Sequence, residues 1–261
     1  MRILFITHDV GVYGAAQSLG LLIKALLDNG FVAKEEIFIL YSKSFIKKQI
    51  VKSKIINDIV NKKTVLLPIS GVYKGYCESP LKNLKNKLRN IVALFSSFIT
   101  IRKQIKECVP DIVHLNSITL WPLLLVIPEK HKTIIHVREI FNHKTNKVVK
   151  YLFKKALSRA YRIIAIDKMA RNSLEEITDK VEILNNPFDM GKARISREEY
   201  YKDLKKNSDG NMHKKIIALI GRIQPIKGHM FFLDLADAFL DKEGTVFWII
   251  GSSKRSEYSS L

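Results

Sequence analysis

The sequence predicts an α/β protein built on an open, doubly wound parallel sheet, with a second unit of the same kind beginning near its end. Three observations predict it: short β-branched apolar runs recur along the chain, helical periodicity fills the gaps between them, and the rhythm breaks at a polar stretch before restarting. Residues 2–7, 37–41, 64–67, 111–115, 133–137 and 162–166 are apolar without strict alternation, which is the pattern of parallel strands covered on both faces. Residues 15–29 place Leu19, Leu22, Ile23 and Leu26 on one helical stripe and run into Gly30, a suitable residue to end a helix. Residues 81–107 carry Leu81, Leu84, Leu88, Ile91, Phe95, Phe98 and Ile105 at helical spacing. Residues 146–160 and 167–177 read as two further helices. Strand, helix, strand in this order builds a parallel sheet through right-handed crossovers.

After an apolar run at 181–184, Asn185-Asn186-Pro187 signals a turn, and residues 191–214 are polar and charged. The rhythm then restarts with a strand at 215–220, a glycine-containing loop, a helix at 229–240 and a strand at 245–250. One strand–helix–strand unit buries little apolar surface by itself. The expected organisation is therefore a complete N-terminal domain at 1–190, a linker at 191–214 and an incomplete C-terminal domain at 215–261. In that incomplete domain Phe231, Phe232, Phe247 and Trp248 are expected to be partly exposed.

Composition narrows the function. At 261 residues, 47% hydrophobic and 26% charged, the chain is an ordinary globular protein. Its two cysteines, Cys77 and Cys108, have no CxxC spacing, which argues against a disulfide framework or a zinc site and suits a cytoplasmic location. The apolar run at 118–127 falls short of the roughly 20 residues that span a bilayer, and Pro122 interrupts it. The net charge of +19 implies attraction to an anionic partner: nucleic acid, a phospholipid surface or a phosphorylated small molecule. The excess is concentrated at residues 43–106, with fifteen Lys/Arg against the two acids Asp58 and Glu78. No RRM, helix-turn-helix or zinc signature accompanies it, and aromatics do not interleave with the basic runs, so no nucleic acid is expected. Within 81–106, Lys82, Lys85, Lys87 and Arg89 flank the leucine stripe, as on a helix resting peripherally on the inner face of a membrane; a plain sheet-covering helix accounts for the same pattern.

Three loops carry candidate chemistry. Gly11-Val12-Tyr13-Gly14-Ala15-Ala16-Gln17 follows the first strand, and small residues at a helix N-terminus let a ligand approach backbone amides closely. Gly221-Arg222-Ile223-Gln224-Pro225-Ile226-Lys227-Gly228 again joins a strand to a helix. There Arg222 offers paired donors to phosphate oxygens and Lys227 adds a compact charge, a natural diphosphate site. His136, Arg138 and Glu139 emerge at the end of the strand at 133–137, and His114 and Asn116 form a similar cluster after Asp111. A satisfied core histidine and a local Arg138–Glu139 ion pair account equally well for the former group. No metal-ligand cluster is visible.

In this order the pieces resemble the retaining, nucleotide-sugar-dependent family-4 (group 1) glycosyltransferases. The resemblance rests on Gly14-Ala15-Ala16-Gln17, Asp111-Ile112-Val113-His114, Ile134-Ile135-His136, Ile163-Ile164-Ala165-Ile166-Asp167, Asn185-Asn186-Pro187-Phe188-Asp189 and Gly221-Arg222…Lys227-Gly228, with Phe247-Trp248-Ile249-Ile250-Gly251 as the next strand. It implies the GT-B fold of two Rossmann-like domains. It also implies that Arg222 and Lys227, with Gly221, grip a donor diphosphate, that Gly11, Gly14 and Ala15 border the cleft, and that His136 lies near the donor sugar as the catalytic-site histidine. Asn116, Arg138 and Glu139 are then candidate substrate contacts. No metal or cofactor is expected. The partners are a nucleotide-sugar donor and a saccharide or lipid-linked acceptor in surface polysaccharide or glycolipid synthesis. Two features depart from the family. Ala15 and Gln17 replace a glycine and a glutamate, and the family's later E-x7-E pair would fall beyond Leu261. The alternatives to an active transferase are a catalytically inactive truncated fragment and a basic nucleic-acid-binding protein.

Overall fold

Apolar runs too short for helices satisfy their backbone groups by pairing side by side, and here they do so in parallel. In this computed structural model the described residues are 1–7, 14–42, 66–67, 84–141, 147–187, 196, 198–199, 202, 215–221, 223, 227–240 and 244–251; the side chains of 42, 66–67, 84–94 and 96 lie outside the description. Gly11, Arg222, Cys77 and nearly all of the expected linker are outside it as well. The chain divides into two compact units, Met1–Asp189 and Met190–Leu261.

In the first unit, β1 (Ile3–Thr7), β2 (Ile37–Ser42), β3 (Leu66–Leu67), β4 (Ile112–Leu115), β5 (Lys132–Val137), β6 (Arg162–Ala165) and β7 (Val181–Ile183) form a seven-stranded sheet. Its order is β3-β2-β1-β4-β5-β6-β7, and every neighbouring pair is parallel. The doubly wound sheet expected from the sequence is present. Period-2 alternation sorts the side chains to two faces. Ile3 and Phe5 face α1 (Gly14–Asp28), which buries Ala16, Leu19 and Ile23 against them. Leu4, Ile6, Leu115, Ile135 and Ile163 face the other way, into a larger core with α2 (Leu84–Cys108), a 3-10 segment (Ile118–Leu125) and α3 (Lys147–Leu157).

α1 ends in a Schellman arrangement. Gly30 at φ +68° lets its own amide bond Leu27 O (3.0 Å) and the Phe31 amide bond Leu26 O (3.0 Å).

Two expectations need correction, and one apolar run forms an element that the sequence did not assign. On α2 the buried stripe is Ser97, Ile101, Gln104, Ile105 and Cys108, whereas Phe95 is 61% exposed and Ile99 73% exposed; the stripe drawn through Phe95 slips off the core-facing line. The helix expected at 167–177 is only α4 (Lys168–Asn172), capped by Asp167 Oδ1 on the Ala170 amide (2.7 Å). Past it the bonding tightens to i→i−3, Leu174 N to Arg171 O and Ile177 N to Leu174 O, while the Ser173 hydroxyl donates to Ala170 O and accepts from the Phe141 amide. The apolar run at 118–127, with no element assigned from sequence, winds into the 3-10 segment. Ser117 caps it and Trp121 packs edge-on to Phe153, whose other side stacks on Phe141 at 4.4 Å.

In the second unit β8 (Lys215–Ile220) pairs in parallel with β9 (Thr245–Ile250), and α5 (His229–Asp237) connects toward β9. Gly228, at φ +74°, starts α5 from a left-handed conformation. Phe231 is 74% exposed, but Phe232, expected to be partly exposed, is only 8% so, because the helix turns it onto Phe247 (ring centroids 5.4 Å). Phe247 and Trp248 are half-buried.

Candidate functional site

A parallel sheet puts all its strand C-termini on one edge. The chain moves outward from β1 to β2 and β3, then returns to place β4 on the other side of β1. That reversal makes β1/β4 the switch point, where α/β sheets open a crevice beyond the carboxyl ends. Register carries polar groups to this spot on one face. Phe5 pairs with His114, and continuing the alternation places Thr7, Asn116, His136 and Arg138 on the same face, the one α1 covers.

These groups form one network. Asn116 is fully buried; its Nδ2 donates to Thr7 Oγ1 (3.3 Å) and to the carbonyl of Ala15 (3.2 Å), which fastens the start of α1 to the strand ends. Its Oδ1 accepts from Arg138 Nε (2.9 Å). Arg138 Nη1 donates to Asn186 Oδ1 (2.6 Å), and Nη2 lies 3.4 Å from His136 Nδ1. One guanidinium thus ties together the chain after β4, the end of β5 and the turn after β7. Beside it the His114 ring lies between Phe5, tilted against it at 5.3 Å, and His136, edge-on at 5.7 Å.

Burial controls the charges. It holds His136 down at about 4, helped by the adjacent Arg138 charge, and His114 down at about 3, helped by His136 and Arg138. Both rings are therefore neutral near pH 7. Burial also brings Arg138 to about 10, partly offset by Glu139, so it stays cationic. His136 Nε2 and His114 Nδ1 are buried with no hydrogen-bond partner among the described residues. An unpaired buried polar atom costs about 1–3 kcal/mol, which a folded protein normally avoids except where function requires it.

The remaining candidates lie as follows. Glu139 uses both oxygens inside the protein, accepting from the Ser117 hydroxyl (2.7 Å) and the Ile118 amide (3.2 Å) at the start of the 3-10 segment. Gly14 is exposed at the first position of α1, and Ala15 is half-buried beside it. In the second unit Gly221 follows β8, its amide bonded to Ile250 O (2.9 Å), and Lys227 is exposed directly before α5. Among the described residues a Cβ at Gly14 or Gly221 would meet nothing within 4 Å. Sequence reading missed Asn186, Thr7 and Ser117 as members of this site. Asn186 carried a signal, since it sits in the turn of the family pattern, but only the sheet order brings it to Arg138. Among the described residues no group of three or more His, Cys, Asp or Glu could hold a metal ion, and no helix is long and apolar enough to cross a membrane.

A doubly wound parallel sheet with a polar cluster at its switch point, followed by a second strand–helix–strand unit, is the architecture of the GT-B glycosyltransferases, and the chain has that fold. No family model and no curated protein matches it. Among solved structures it is similar to HepE of Anabaena in complex with UDP and glucose, at 12% identity over 98% of this chain and 62% of that one, with a TM-score of 0.67. Sucrose-phosphate synthase of Thermosynechococcus elongatus gives 12% identity over 98% and 64% of the two chains, TM-score 0.62. A glycosyltransferase of Rickettsia africae gives 13% identity over 96% and 60%, TM-score 0.59. The chain thus spans between 60% and 64% of the length of these proteins. Likeness at such identities establishes the fold.

Proposed function

We propose that this chain serves nucleotide-sugar-dependent glycosyl transfer, with a nucleoside-diphosphate sugar as donor and a saccharide or lipid-linked saccharide as acceptor, in surface polysaccharide or glycolipid synthesis. The observation that carries this reading is the cluster at the β1/β4 switch point, where a buried, neutral His136 has an Nε2 unpartnered among the described residues, beside a fixed cation, Arg138. The fold supports it, because the similar HepE structure holds UDP and glucose.

In this reading Arg222 and Lys227 hold the donor diphosphate and Gly221 gives it room to approach the backbone. His136 serves the donor sugar, Gly11, Gly14 and Ala15 border the ligand, and Asn116 and Arg138 hold the site in shape, with Glu139 fixing the adjoining 3-10 segment. During transfer the bond from the anomeric carbon to the diphosphate oxygen breaks and the acceptor hydroxyl oxygen bonds to that carbon. The hydroxyl proton leaves with the diphosphate, and family resemblance predicts that the anomeric configuration is retained. The two loop cations offset the charge developing on the diphosphate, so the reading needs neither a metal nor a cofactor.

The charge of +19 supports a cytoplasmic protein resting peripherally on an anionic membrane, where a lipid-linked acceptor would reside. On α2, exposed Phe95 and Ile99 lie within a turn or two of Arg102, Lys103 and Lys106, a mixture suited to a headgroup layer.

A thermal-shift screen tests the central reading. Nucleoside diphosphates, beginning with UDP, should raise the melting temperature, and single-stranded oligonucleotides should not. Stabilisation by oligonucleotides alone would replace this reading with nucleic-acid binding.

A further inference from the structure

We propose that Arg138 is a positioning residue that locks His136 in the tautomer with its proton on Nε2, so that the ring carries its one N–H on the side away from the guanidinium. The inference starts from what a guanidinium cannot do. It carries five N–H donors and no acceptor, and in proteins it keeps its charge. Its Nη2 lies 3.4 Å from His136 Nδ1, so that nitrogen must turn a lone pair toward it; a proton on Nδ1 would set two donors face to face beside a full positive charge. The ring is neutral and therefore bears one proton, which the lone pair on Nδ1 leaves for Nε2.

The contact with Nδ1 is long, and the lock depends on how firmly Arg138 itself is held. Two shorter bonds hold it, Nε to Asn116 Oδ1 (2.9 Å) and Nη1 to Asn186 Oδ1 (2.6 Å). Asn116 cannot rotate its amide to escape, because its Nδ2 is engaged by Thr7 Oγ1 and the Ala15 carbonyl. The chain of constraint thus runs from the start of α1, through Asn116, to the guanidinium and then to the imidazole. A lysine ammonium here would keep the charge and a donor toward Nδ1 while giving up the fork to the two asparagines, so it separates the lock from the fork. Among the described residues the titratable neighbours are Glu139, which partly offsets Arg138, and His114, whose neutral ring packs edge-on against His136. His136 Nε2 is left buried and unpartnered among the described residues. That the awaited ligand is a nucleotide sugar rests on the function proposed above; the tautomer does not.

The experiment is nitrogen-15 NMR of the imidazole side chains in the whole chain, with His136 assigned by its loss in His136→Gln. The wild-type protein should show His136 purely as the Nε2–H form between pH 7 and pH 5. In Arg138→Met the Nδ1–H form should appear as a second set of ring signals, and Arg138→Lys should restore much of the Nε2–H form. A wild-type ring protonated on Nδ1, or a folded Arg138→Met protein with the tautomer unchanged, overturns the proposal. If Arg138→Met does not fold, the wild-type spectrum and Arg138→Lys still decide: loss of the Nε2–H form in a folded Arg138→Lys protein, where the charge remains, counts against the lock by charge and donor. Addition of UDP-glucose to the wild type is read separately. No change in any ring signal would count against the nucleotide-sugar reading while leaving the tautomer assignment intact.

Discussion

Acidification below the ordinary imidazole range should weaken the first unit through two buried histidines. In the folded chain burial holds His136 at about 4 and His114 at about 3, both below the ordinary value of 6.5. The unfolded chain binds protons at both sites as pH falls through 6.5, whereas the folded chain does not until roughly pH 4. The unfolded state therefore holds more protons in this window, and stability is present above 6.5 and lost as pH falls toward 4. Each site contributes a slope of at most about 1.4 kcal/mol per pH unit, so the pair approaches roughly 2.7 kcal/mol per unit between pH 6 and 4. Over one unit that is a sizeable share of a typical domain stability of about 5–15 kcal/mol. Trp121, buried against Phe153, reports unfolding of this unit once Trp248 is replaced by Phe. Urea unfolding of this background at pH 7, 6 and 5 should show the steep loss, and adding His114→Gln with His136→Gln should flatten it. Equal slopes with and without the two histidines, in folded proteins, would refute the reasoning.

Other expectations follow from the same geometry. Gly14→Ala and Gly221→Ala should leave the melting temperature almost unchanged, since an added Cβ meets nothing within 4 Å among the described residues, while Gly221→Ala should weaken UDP binding by about tenfold. A large loss of stability in calorimetry would show that these glycines serve the fold instead. Phe153→Ala, which empties the space between Trp121 and Phe141, should cost about 3–5 kcal/mol in urea unfolding. Phe95→Asp with Ile99→Asp should reduce pelleting with anionic vesicles without lowering stability, and wild-type pelleting should fall steeply with salt. Equal pelleting with neutral and anionic vesicles would remove the membrane reading.

The sheet was legible because its strands are continuous apolar runs, and such runs announce themselves locally; β8 and β9 agree with their sequence expectations residue for residue. Helix interiors were less so. The stripe through Phe95 is met in part: Ile105 is buried and Phe98 packs on the core, while Phe95 turns outward and Ser97 and Gln104 are buried in place of larger apolar groups, because periodicity alone does not fix the line along which a helix meets the sheet. The end of α4 was hidden in one hydroxyl, Ser173, whose partners lie 32 residues away at Phe141 and one turn back at Ala170. At the site, His136, Arg138 and Asn116 could be picked out as polar residues at strand ends, where apolar patterning stops. Their joining by Asn186 required the strand order, which no local pattern encodes.

The central claim is that this chain binds the diphosphate of a nucleotide sugar, and calorimetry on the 261-residue chain tests it most directly. UDP should bind, and Arg222→Ala and Lys227→Ala should each weaken it by the roughly 1.5–3 kcal/mol of a charge-assisted phosphate contact, with uridine affected little and a chelator changing neither. Equal losses for UDP and uridine in both variants, or UDP affinity unchanged when both cations are removed, would contradict the account.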